Sequence, residues 1–286
     1  MQTTAKELVA DVSDLVSLPD ICVRVNEMVN DPDSSAADIG KIIAQEPGMM
    51  ARLLRIANSP FYGFMQEITT VSRAISVIGT AQLRELILAT SAIDTFENIP
   101  NYLVNMKHFW THSIYTGLCA KALADKTGSK NNESYFVAGL LHDIGQLVLF
   151  NKMPEESRDI LIEIMEGSEG LQFHQEEKKV FGFDHAEVGA ELLRNWKLPE
   201  VLCDSVKFHH QPLKAKSYSK EAALIHIANS LGCLAELDSE NDWEAEPIDP
   251  QAWQAAGLKP DVIEQITDKV AEEFNDVANS FLKDTV

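Results

Sequence analysis

Residues 136–150 read FVAGLLHDIGQLVLF, and this stretch decides the fold. It is the most apolar run of the chain, yet His142 and Asp143 stand side by side at its centre. Its periodicity predicts a helix over 132–150 with the pair in mid-helix. Burying an unpaired carboxylate costs several kcal/mol or more. A metal ion or a neighbouring histidine would offset that cost, so the pair points to a site rather than to a plain core.

Outward from this run the pattern stays helical. Towards the C-terminus it predicts helices over 155–167, 183–195, 199–209 and 219–235, the third opened by Pro199 in its first turn. Asp184 is a natural cap for the 183–195 helix. The acidic, proline-containing segment 238–250 reads as a solvated loop. In 259–283, Val262, Ile266, Val270, Phe274, Val277 and Phe281 recur at helical spacing. No acid–base heptad accompanies them, so this helix reads as core cover rather than a dimer seam. Towards the N-terminus a helix covers about 103–126, and shorter ones cover 20–30, 36–45, 48–58 and 81–96. Residues 97–101, Glu-Asn-Ile-Pro-Asn, read as a boundary. Strand signals are nearly absent. The expectation is an all-α chain with an orthogonally packed helical module at 1–98 and a core of longer helices at 99–286.

Composition is that of a globular protein, with 45% apolar and 24% charged residues among 286. Acidic residues outnumber basic ones 44 to 24, a formal net charge of −20. Such a field repels phosphate backbones and anionic lipid at long range, so direct nucleic-acid or membrane binding over a broad surface is not expected. A local basic pocket remains compatible with it. The N-terminus carries neither a basic nor an apolar leader region, and no run approaches a membrane span. The four cysteines lie far apart in apolar helical contexts and read as reduced core residues of a cytoplasmic protein.

All eight histidines fall at or after residue 108. His108 and His112 share a helix face, as either a surface pair or two imidazoles facing one cation. His185 is either a ligand or an ordinary first-turn residue. His209 and His210 end a helix, where the dipole alone favours histidine. His174 reads as a surface residue and His226 as a helix-facing polar one. Taken together, His and Asp on several converging helices are how helical folds build metal sites. A set this rich in imidazole suits Fe, Mn, Zn or Ni better than Mg.

The order His112, His142-Asp143, His185, His209-His210 resembles the HD superfamily of metal-dependent phosphohydrolases, including its HD-GYP branch. The front of the chain resembles one branch more closely. Leu18-Pro19, then NDPDSSAADIGKIIAQEPGMMARLLRIANSPFYG, then AISVIGTAQLRELIL are similar to the HDOD domain. The resemblance implies an HD-domain-like helical core with metal at His112, His142, Asp143, His185, His209 and His210. It makes His108 and Asn229 possible additional ligands, and Asp143 the catalytic residue if the site is active. Three departures count against turnover. Asn229 stands where the family's last aspartate ligand belongs, Gln146 stands where HD-GYP proteins carry lysine, and HHQPLKAKSYS lacks the Gly-Tyr-Pro element. The implied function is a bacterial signal-transduction module with a degenerate metal or ligand site and little or no catalysis. Its expected partner is a signalling protein or a small nucleotide. The alternative is a metal-dependent phosphohydrolase acting on a nucleotide or phosphate ester.

Overall fold

Apolar residues every third or fourth position become helices throughout the computed structural model, which describes residues 3–12, 16–97, 102–129, 132–166, 171–236 and 247–282. Among these no strand occurs, and the fold class is all-α. Residues 98–101, on which the expected boundary falls, and 237–246, most of the expected acidic loop, lie outside the described residues. The chain divides into two compact units. One comprises Met1–Val16 and Glu97–Val270, the other Ser17–Phe96 and Ala271–Val286.

Helix α1 (Ala5–Val12), which buries Leu8, Val9 and Val12, belongs to the first of these. The other unit is built from α2 (Asp20–Asn30), α3 (Ala36–Ile43), α4 (Pro47–Ala57), α5 (Val71–Ile78) and nearly all of α6 (Thr80–Glu97). Its local rules are legible in the residues. Ser35 and Asp38 form a reciprocal capping box that starts α3. Pro47 occupies the first turn of α4, where its missing N–H leaves no bond unmade. Asn58 closes the NSPFYG turn by donating to the Ile68 carbonyl at 2.8 Å and accepting the Ile68 N–H at 2.7 Å. Arg52 makes a two-pronged pair with Asp94, both contacts at 2.9 Å, joining α4 to α6. Ile39, Ile43, Leu53, Ile56, Leu83 and Ile87 form the buried centre, each side chain contributing roughly 1.5–3 kcal/mol by leaving water.

The other unit holds the longer helices: α7 (Met106–Lys126), α8 (Asn132–Leu141), α9 (Ile144–Lys152), α10 (Pro154–Glu166), α11 (Phe173–Phe181), α12 (His185–Asn195), α13 (Glu200–Lys207), α14 (Ser219–Glu236) and α15 (Pro250–Ala256). α7 and α8 touch backbone to backbone, since a Cβ on Gly139 would stand 2.7 Å from the Gly117 Cα. Helix α16 (Ile263–Phe281) buries Ile266 and Val270 in this unit, and its later turns, with Val277 and Phe281 buried, belong to the other. Phe281 there meets Phe61 edge to face at 6.5 Å between ring centres.

The helix expected over 132–150 is interrupted. α8 stops at Leu141, His142 and Asp143 form a turn, and α9 restarts at Ile144. The cause is the histidine itself. Its Nδ1 donates to the Gly139 carbonyl at 2.7 Å, taking an acceptor that a continuing helix would give to the Asp143 N–H. The turn frees Asp143 from the helix surface and swings its carboxylate into the unit's interior, where it is 9% exposed.

Candidate metal centre

Six segments deliver polar side chains to one place in this unit. α7 supplies His112, the α8–α9 turn His142 and Asp143, and α11 Glu177. The first residue of α12 is His185, the turn after α13 carries His209 and His210, and α14 contributes Asn229. Ligand atoms of Asp143, His185, His209 and His210 lie within 4.8 Å of one another, as do those of His112, His142 and Asp143. Asp143 is common to both groups. Its Oδ1 is 3.1 Å from His185 Nε2 and 3.6 Å from His209 Nε2. Its Oδ2 is 3.1 Å from His142 Nε2 and 4.0 Å from His112 Nε2. His210 Nε2 lies 2.8 Å from His185 Nε2.

Three of the imidazoles are fixed from behind. His142 Nδ1 donates to the Gly139 carbonyl and His209 Nδ1 to the Val206 carbonyl, both at 2.7 Å. A carbonyl oxygen only accepts, so in both rings Nδ1 carries a proton and Nε2 is the nitrogen turned towards Asp143. His185 Nδ1 donates to Glu177 Oε2 at 2.5 Å, and the same oxygen accepts the His185 backbone N–H at 2.9 Å. This arrangement sets tautomer and ring direction in histidine metal ligands. His209 Nε2 is buried without a hydrogen-bond partner among the described residues, and the buried Asp143 Oδ1 has the ion pair with His185 but no well-formed hydrogen bond. Buried polar atoms seldom stay unpartnered, and a cation between them would satisfy both. The donor set therefore fits a divalent transition metal, with imidazole nitrogens and one shared carboxylate.

Asn229 enters the second group. Its Oδ1 is 3.0 Å from His112 Nε2 and 3.2 Å from His142 Nε2. An amide is neutral, so Asn229 adds no formal charge to this group.

Electrostatics follow the crowding. Burial opposes ionisation of Asp143, but the neighbouring His142 and His185 win and hold its carboxyl well below the usual range. Burial likewise opposes the charge on His185, yet carboxylates on both its nitrogens, Glu177 and Asp143, lift it well above the usual value. His209 and His210 go the other way, pushed well down first by burial and then by the surrounding imidazoles. Burial raises Glu177 against the pull of His185.

The structure thus brings together His112, His142, Asp143, His185, His209, His210 and Asn229. His108 lies exposed one turn before His112 and belongs to neither ligand group among the described residues. His174, expected at the surface, is 3% exposed and stacked on His210 at 3.9 Å. The helix that buries it, α11, is not visible in the apolar pattern. His226 is also buried, donating from Nδ1 to the His209 carbonyl at 2.8 Å and accepting the Asp249 N–H at 3.0 Å on Nε2. Glu177 went unrecognised from sequence. It sits in the charged string FHQEEKKVF, where nothing marks one glutamate as 1% exposed.

With this geometry in hand, a model of the HDOD domain matches residues 15–212. The chain belongs to the HDOD domain family. The family match ends before Asn229, so α14 completes the site beyond the matched HDOD segment. Among solved structures, an HDOD domain protein with unknown function from Geobacter sulfurreducens is 26% identical, covering 97% of each chain with a TM-score of 0.71. A Shewanella amazonensis protein, provisionally described as a phosphohydrolase, is 25% identical, covering 96% of this chain and 98% of its own with a TM-score of 0.75. An uncharacterised protein of Treponema pallidum (strain Nichols) is 27% identical over 256 residues. The HDOD chain described here spans about half of that relative, 48% of its length. No helix among the described residues is long and apolar enough to cross a membrane.

Proposed function

We propose that this HDOD chain is a cytoplasmic regulatory module of bacterial signal transduction. In this reading its HD-type pocket holds a divalent transition metal, one of Fe, Mn, Zn or Ni, and turns over little or no substrate. The observation that carries this is Asn229, whose neutral Oδ1 stands 3.0 and 3.2 Å from two imidazole nitrogens where hydrolytic HD domains are expected to use an aspartate. Gln146, in place of a lysine that would face substrate phosphate, points the same way. The occupant of the pocket, or the state of its metal, would then be read by a signalling protein or set by a small nucleotide.

Asp143 would bridge the two ligand groups, and Glu177 would hold His185 in its ligating orientation. A bound ion would supply positive charge able to hold and polarise a phosphate group. The resemblance of the Shewanella amazonensis protein to this chain supports the second reading, a metal-dependent phosphohydrolase acting on a nucleotide or phosphate ester, and so does the buried His209 Nε2, which has no hydrogen-bond partner among the described residues. Metal analysis of protein purified without added metal, followed by a panel of phosphodiester and nucleotide substrates, separates the two. The regulatory reading expects bound metal with no turnover above the metal-stripped control. Turnover that needs the metal and disappears in Asp143→Ala would replace it with the enzymatic one.

A further inference from the structure

Beside the histidine–aspartate group, the same unit carries a cleft of about 250 Å³ whose wall includes His210. Three lysines line it, Lys178, Lys207 and Lys214, with the carboxylates of Asp184 and Glu187. Both carboxylates are engaged by one of the lysines. Lys178 Nζ is 2.8 Å from Asp184 and 3.8 Å from Glu187. The carboxylates of α13, although near Lys207, pair directly with Arg194, Glu200 at 2.6 Å and Asp204 at 3.1 Å. Lys207 and Lys214 therefore face the cleft with no ion pair among the described residues. In a chain of formal charge −20, two such cations converging on one small cleft are out of keeping with the surface around them.

His210 ties this cleft to the site. Its ring contributes to the ligand group with Asp143 and His185, and it also forms a portion of the cleft wall. Lys207 lies over the ring of Phe208, another wall residue, at 5.4 Å from its centre, so an apolar surface adjoins the cations. A space of this size holds about eight waters at roughly 30 Å³ each, enough for a small molecule and far too little for a folded partner.

We propose that this cleft binds a small phosphate-bearing molecule, with Lys207 and Lys214 pairing with the phosphate and His210 connecting the occupied cleft to the histidine–aspartate group. Lysine suits this role as a mobile point charge for phosphate oxygens. The proposal rests on the reading of that group as a ligand site and shares His210 with it, but its phosphate contacts, Lys207 and Lys214, lie outside the group.

The test is calorimetric titration of the full chain with inorganic pyrophosphate. The wild type is expected to bind one pyrophosphate per chain, more weakly as salt rises. The Lys207→Ala/Lys214→Ala variant, both of whose side chains reach solvent, should bind at least tenfold more weakly with an unchanged melting temperature. Lys216→Ala, an exposed lysine outside the cleft, should bind as the wild type does. No binding by the wild type overturns the proposal. So does equal affinity in the double variant, or an equal loss in Lys216→Ala. Metal content measured on the same samples keeps the two readings apart. Lysine-dependent binding by a protein that never holds metal removes the metal reading and leaves the cleft standing. Metal-loaded protein that ignores pyrophosphate removes the cleft alone.

Discussion

Gly145 and His185 meet backbone to backbone: a Cβ on Gly145 would stand 2.0 Å from the His185 carbonyl oxygen and 2.6 Å from the Gly189 nitrogen. The start of α9 is thereby pressed onto the first turn of α12, the turn that presents His185 to Asp143. Neither obstacle is a flexible side chain, so a methyl group there has to push the two helices away from each other. Gly145→Ala should cost more than the roughly 1–3 kcal/mol of an ordinary overpacking change, and should weaken metal binding along with stability. Chemical denaturation and a metal titration on the same variant check both. An unchanged midpoint would mean that α9 and α12 are not held this closely.

Glu177→Gln keeps the size of the side chain but removes the charge behind His185. Loss of such a partner typically lowers metal affinity 10–100-fold. A competition titration against a chromophoric chelator should show a drop of that order. The same titration with Glu176→Gln, whose carboxylate pairs with Lys179 instead, should show none.

Asn229→Asp places a carboxylate within reach of both His112 and His142. It should raise metal affinity at least tenfold while lowering the stability of the metal-free protein, because an additional buried charge is then uncompensated. Thermal melts with and without metal separate the two effects. If affinity stays level, the amide is not what limits the site.

In metal-stripped protein the histidines set a definite pH response. His209 and His210 are depressed in the fold by burial and by their imidazole neighbours. Below their ordinary value of 6.5 the unfolded chain takes up protons that the folded one refuses, so stability falls with falling pH. His185 has the opposite sign. Its contribution is complete below 6.5 and fades as pH rises through its elevated folded value. Asp143 adds a loss only at more acid pH, below its ordinary 3.8. Urea midpoints followed from pH 7 down to 4.5 should therefore decline, and His210→Gln should flatten that decline. A flat wild-type profile would contradict the assigned direction.

Much of this was legible from single residues. The apolar periodicity gave the helices, Asp184 announced its cap, and the His142-Asp143 pair in an apolar run marked the place where partners had to converge. What stayed hidden depended on contacts far apart in the chain. A glutamate in FHQEEKKVF looks like any solvated charge until α11 is laid against His185. His174 looks like a surface residue until it stacks on His210. The break at His142 escaped the pattern because a side chain takes the place of a backbone donor, and hydrophobic spacing is blind to that exchange. For His108 the sequence left a surface residue and a ligand both open, and it lies exposed outside both ligand groups among the described residues: sharing a helix face with His112 does not make it share an environment.

Two of the three imidazole anchors, those on Gly139 and Val206, are peptide carbonyls, which every amino acid carries. Saturation mutagenesis would therefore report the Glu177 anchor directly, whereas a loss at Gly139 would report its close packing against Gly117 rather than its carbonyl. A survey of sequences alone would undercount the restraints on this pocket, because most of them are written in the path of the chain rather than in its alphabet.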